Sequence, residues 1–162
     1  MEFVRVISRY AREQNGAVAV EAAFVLPFLI LGGIGTMDAS YLLLQNHKME
    51  TGLANAASYL ARASSPQTVE LQAKRIATLG TSQAVGAPVI QDWTPTDITI
   101  SYKVISNANL GTGTLYRGGD TIRVVQLASQ KPYAGFGVLK AAFGGSLVVK
   151  ATHEQRLTGE SS

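Results

Sequence analysis

The sequence predicts an α+β protein. A long N-terminal helix, membrane-spanning and then amphipathic, is expected to pack on a small antiparallel sheet of about three strands. Three observations carry this. The apolar residues concentrate in one run, "AVAVEAAFVLPFLILGGIGTM", from Ala17 to Met37. Directly after it apolar side chains recur every three or four positions. The C-terminal half then turns to alternating segments separated by Gly-rich stretches, with no helix between each strand and the next, which argues against a parallel sheet.

The apolar run comes first. As a helix, residues 17–37 rise about 31 Å, one hydrocarbon thickness. Pro27 would break a helix in water but is tolerated in a membrane helix. Arg5, Arg9 and Arg12 precede the run, against Glu2 and Glu13, and the first basic residue after it is Lys48. That asymmetry predicts a single pass with the N-terminus in the cytoplasm and the bulk of the chain outside. A cleaved signal peptide, with "GGIGT" as its processing site, and a plain signal anchor remain alternatives. Neither explains Glu21, because a charge at the bilayer centre costs roughly 2.5–3.5 kcal/mol on insertion scales and is usually functional. One turn into the run, Glu21 can also snorkel towards head groups.

Beyond the run, "DASYLLLQNHKMETGLANAASYLARASSP" reads as a continuing helix, amphipathic over 38–63. Leu42, Met49, Leu53, Ala56, Leu60 and Ala63 form one stripe, with His47, Lys48 and Glu50 on the polar side. Pro66 ends it by pushing Ser65 out of the helical region. A second helix is expected from Pro66 to Leu79, with Ser65 as N-cap, Gly80 at C′, and Val69, Ala73, Ile76 and Leu79 on its inner face. "GTSQAVGAP" is a loop. In "DITISYKVI", Ile98, Ile100, Tyr102 and Val104 face one way and Thr99, Ser101 and Lys103 the other, the mark of a half-buried strand. A Gly/Asn loop, "NANLGTGTLYRGGD", leads to a second strand, "TIRVVQLAS". A short helix at 136–143 between glycines and a third strand in "SLVVKATHEQRL" complete the chain.

The 162 residues leave about 120 beyond the membrane segment, enough to bury a core. A net charge of +3 with scattered basic residues gives nucleic acid no footprint. The absence of cysteine excludes disulfides and thiolate metal sites. His47 and His153 lack metal-ligand spacing, and the glycines of "GTGTLYRGG" and "GGSL" do not match a phosphate loop or a nucleophile elbow. Asp92, Asp97 and Asp120 are loop acids with nothing marking a pair, and Trp93 reads as a packing residue or a surface contact. No catalytic, cofactor-binding or metal-binding residue is expected. A membrane-anchored enzyme or ligand-binding module would require polar groups from residues 92, 97, 120 and 153 to converge, and an exported soluble protein would be cut between Gly33 and Met37.

The basic leader, Gly16, Ala17 and a Glu at the fifth helix position resemble the processing site of type IV prepilins. The same spacing recurs at Gly33 and Asp38, but the apolar stretch that follows is too short to span. Taken with "NGAVAVEAAFVLPFLILGGIGTMD", the Ala-rich "LANAASYLARA" and "IRVV…PYAGFGVL…GGSLVVKATHEQRL", the chain resembles the TadE-like proteins, minor pilins or pseudopilins of the Tad (Flp) pilus system. Ala22 stands where many of the family have an aromatic after the Glu, with Phe24 two residues on. The resemblance implies a cytoplasmic leader, 1–16, removed between Gly16 and Ala17 by a prepilin peptidase, and a periplasmic or extracellular pilin-like domain, 64–162. It implies that Glu21 sets subunit register, and that Phe24, Leu26, Pro27, Leu42, Met49, Leu53 and Leu60 pack within the filament or against the chain's own domain. The partners it implies are other Tad pilins and pseudopilins and an inner-membrane assembly platform.

Overall fold

The computed structural model describes residues 2–107 and 121–159, with side chains from Gly16 onward. The Gly/Asn loop expected between the first two strands falls almost wholly outside the described residues, and Asp120 with it. The element order is helix α1 (Glu2–Arg62), a 3-10 turn (Pro66–Val69), helix α2 (Glu70–Leu79), a second 3-10 turn (Pro95–Asp97), strands β1 (Ile98–Ser106) and β2 (Thr121–Pro132), helix α3 (Val138–Phe143) and strand β3 (Val148–Arg156). A long helix with an antiparallel sheet of order β1-β2-β3 is the α+β architecture read from the sequence. The chain divides into two compact units. One comprises Met1–Ser40 with Gly135–Gly145, the other Tyr41–Ala134 with Ser146–Ser162.

In the second unit the core draws on α1, α2 and all three strands. Met49, Leu53, Ala56 and Leu60 of α1 are buried, as the stripe predicted, while Leu42 and Ala63 at its ends are half-buried. Gln45, Gly52, Ala57 and Ala61 widen the buried face. Small residues there let α2 approach closely. A Cβ on Gly52 would stand 2.6 Å from the Ala77 carbonyl oxygen and 2.9 Å from the Trp93 ring, so neither neighbour leaves room for one. The close approach also selects the inner face of α2. Ala73, Ala77 and Thr78 are buried, whereas Val69, Ile76 and Leu79 of the expected face are only half-buried. Thr78 tolerates burial because its hydroxyl donates to the Lys74 carbonyl at 3.0 Å.

Caps end these helices. Gly80, at φ 71°, takes the left-handed C-terminal position of α2 and donates its N–H to the Ile76 carbonyl. Ser65 makes no side-chain cap. Its carbonyl instead accepts from the backbone N–H and the hydroxyl of Thr68, which tightens the first turn into a 3-10 form. At the end of α1 the Ala61 carbonyl lies beyond the reach of the intrahelical ladder. It accepts from the N–H groups of Thr158 and Gly159 and from the Thr158 hydroxyl, so the segment after β3 ties down this helix end. A Cβ on Gly159 would collide with the Arg62 backbone.

Strand β2 is central, pairing Ile98–Ser106 on one side and Val148–Arg156 on the other. Val125, Leu127 and Ser129 alternate inward along it, joined by Ile98, Val149 and Ala151 from the flanking strands. The alternation read in β1 holds for Ile98, Ile100 and Tyr102 and fails at Val104, which is 65% exposed. There the strand has run past the buried face and only the ladder continues. Trp93, 1% exposed, joins helix to sheet. Its ring abuts Gly52 while its Nε1–H donates to the Ser129 hydroxyl at 3.0 Å, and that hydroxyl donates to the Asp97 carbonyl at 2.9 Å. Thr94 and Asp97 close a capping box that holds the preceding turn. Tyr41 and Tyr133 face each other at 6.3 Å between ring centroids, tilted by 51°.

The first unit consists of the N-terminal part of α1 and the excursion between β2 and β3. The helix continues through Pro27. The Thr36 and Ser40 hydroxyls donate to carbonyls four residues back, so they need no solvent partner. Gly137 and Gly144 bracket α3 in left-handed conformations.

Candidate functional site

All residues from Gly16 to Ile34 are exposed, among them Phe24 at 72%, Phe28 at 75% and Leu29 at 64%. An apolar helix with no buried face is what a lipid or protein surround would complete, and what water would penalise. The helix is long and apolar enough to cross a membrane. Gly16, Ala17, Glu21, Phe24, Leu26 and Pro27 all lie on this stretch, and its helical backbone fixes their relations. Ala17 and Glu21 stand four residues apart, one above the other on one face. Because helical side chains lean towards the N-terminus, the Glu21 carboxylate is directed to the turn that contains Ala17.

The remaining packing candidates lie elsewhere. Met49, Leu53 and Leu60 are wholly enclosed in the second unit, and Leu42 is half-buried at its margin. Their partners in the fold are therefore residues of the same chain.

One acid stands out that the sequence left without a role. Asp38 is fully buried within the first unit. Its Oδ1 accepts from the Phe136 N–H at 3.0 Å and its Oδ2 from the Leu139 N–H at 2.9 Å. Gly137, the N-cap residue of α3, has no side chain to offer, and Asp38 caps that helix from outside. Each such charge-assisted bond contributes about 1.5–3 kcal/mol. The partners are 98 and 101 residues away in sequence, so spacing could not have found them.

Among the described residues, the polar side chains of the second unit that the sequence singled out do not converge. His47 is exposed beside Glu50 on α1, and His153 is half-buried on β3. Asp97 lines a shallow depression of about 210 Å³ with Thr99, Gln130, Lys150 and Thr152, without Asp92 or His153. Asp97 itself is spent on the capping box with Thr94. A larger groove of about 610 Å³ runs between α1 and α2, lined by Asn55, Ser58, Tyr59, Arg62, Ala63 and Ile76. Among the described residues no cluster of His, Cys, Asp or Glu suited to a metal ion occurs.

Comparison with known proteins is informative for the helix. Residues 16–58 match the family model described as TadE-like protein, so over this stretch the chain is similar to TadE-like proteins. No curated protein and no solved structure gives a significant match.

Proposed function

We propose that this chain is a minor pilin or pseudopilin of a Tad (Flp) pilus. In this reading residues 17–37 anchor it in the inner membrane, the N-terminus faces the cytoplasm, and a prepilin peptidase cuts after Gly16. It acts in pilus assembly or initiation by packing against other subunits and is not an enzyme. The supporting observation is the extent of the family match. It begins at Gly16, the last residue of the leader, and covers the exposed apolar helix with its single carboxylate.

The chemistry follows from the helix. Cleavage exposes an α-amino group on Ala17, cationic below its ordinary pKa of about 7.7–8.0. Glu21 then lies near the positive end of the shortened helix, where a carboxylate is stabilised by the unpaired N–H groups. The carboxylate can pair with that amine or with the amine of an adjacent subunit. In a low-dielectric surround, a register that leaves either charge unpaired carries a heavy penalty. Phe24, Leu26 and Pro27 supply the apolar contact with other Tad pilins and the assembly platform, because Met49, Leu53 and Leu60 are already used inside the fold. Gly16 suits a cut made within a helix. A glycine weakens helix locally by about 1 kcal/mol relative to alanine, which eases the unwinding a protease needs.

The test is the intact mass of the membrane-extracted protein, made with and without a prepilin peptidase. A peptidase-dependent N-terminus at Ala17 is expected. A retained leader would make the chain an unprocessed anchored module, and a start beyond Met37 would make it an ordinary exported protein.

A further inference from the structure

We infer that residues 135–145 form a second membrane contact, an interfacial wedge held against the outer end of the span by Asp38. The inference rests on reading residues 17–37 as a membrane helix. The segment reads "GFGVLKAAFGG", and Lys140 is its one charged residue. Inserted between β2 and β3, it exposes Phe136 at 69% and Phe143 at 73%, together with Ala141 and Ala142. Bulky apolar residues left open at both ends of so short a segment mark a contact surface.

The level at which the segment sits identifies the occupant. Within the first unit, Val138 lies 3.6 Å from where a Cβ on Gly35 would stand, and Asp38 receives the N–H groups of Phe136 and Leu139. Gly35 and Asp38 are in the turn where the apolar run ends, so α3 meets α1 at the depth where the chain leaves hydrocarbon. Apolar side chains there gain by entering the acyl boundary, and a lone lysine reaches the head groups, anionic ones most favourably. Met37, next to Asp38 in sequence, is also 65% exposed. The wedge fits a lipid surface.

The cysteine-free chain allows a direct test. Single cysteines replace Phe136, Phe143, Phe24 or Thr99 in the full-length protein, each carrying a nitroxide spin label. The protein is reconstituted at one copy per nanodisc containing phosphatidylglycerol. Collision rates with lipid-soluble oxygen and a water-soluble nickel chelate are then compared. Labels at 136 and 143 should favour oxygen several-fold over the Thr99 label and approach the Phe24 label. Labels at 136 and 143 that behave like Thr99 while Phe24 favours oxygen would overturn the wedge and leave the span intact. An aqueous Phe24 label would remove the span itself, and the wedge with it. Protection of 136 and 143 from both reagents would mean that protein covers them, which also overturns the proposal.

Discussion

Two stretches of one helix, residues 17–37 and 41–62, both carry many aliphatic side chains and have opposite fates. In the first the apolar residues go all the way round, and from Gly16 to Ile34 every one of them is exposed. In the second they recur every three or four positions, and that stripe is buried while Leu43, Leu44 and Tyr59 beside it are not. Burial inside the fold is therefore a matter of period, and hydrophobicity without a period points to a different surround. Asp38 marks the boundary between the two regimes.

The same substitution in the two stretches would test this contrast most severely. Leu53→Ala should cost about 2–5 kcal/mol through lost burial and a residual cavity, whereas Leu29→Ala should stay within about 0.5 kcal/mol. Denaturant unfolding of the full chain in detergent, followed by near-ultraviolet circular dichroism, reads both. Equal costs would break the comparison.

At the boundary, Asp38→Ala removes the acceptor of two backbone N–H groups, each bond contributing about 1.5–3 kcal/mol. Amide exchange at Phe136 and Leu139 should accelerate more than tenfold, while amides of β2 change little. Unchanged exchange at those two positions would deny Asp38 its capping role.

Glycines sharpen the contrast through their sign. Gly52→Ala should destabilise by about 1–3 kcal/mol, because overpacking outweighs the gain in helix propensity. Gly33→Ala has nothing within 4 Å of its new methyl group and should be neutral or stabilising by up to about 1 kcal/mol. Comparing the two unfolding midpoints decides it.

Glu21→Ala should have the smallest effect on unfolding, within about 0.5 kcal/mol, since the side chain is exposed. Membrane insertion should persist while piliation falls sharply. Normal piliation, scored by electron microscopy, would dispose of the register role.

What was legible in the sequence was local. The end of α1, the helix closed by Gly80, the three strands and the short helix between glycines all announce themselves through period or punctuation. The stripe at Met49, Leu53, Ala56 and Leu60 was readable for the same reason. Contacts between distant parts of the chain were not. Of the face read for α2, Ala73 is buried but Val69, Ile76 and Leu79 are only half-buried, and the close approach at Gly52 brings in Ala77, which the period did not single out. Val104 keeps perfect alternation, yet alternation does not show where the covering layer stops. Asp38 attracted notice only as a second acid after a glycine. Its partners depend on a segment about a hundred residues later, and no spacing rule reaches that far.

Trp93 is the chain's one tryptophan, sealed beside Gly52 with its indole N–H committed to Ser129. The protein thus contains a fluorophore of its own, confined to the second unit and absent from the exposed apolar stretch. Excitation at the red edge of absorption selects this single site, with tyrosines left dark. Its emission should shift to longer wavelength when the helix–sheet core opens and stay constant when detergent or lipid is exchanged around residues 17–37. Loss of the core and change of the membrane surround can therefore be followed separately in one cuvette, without a label.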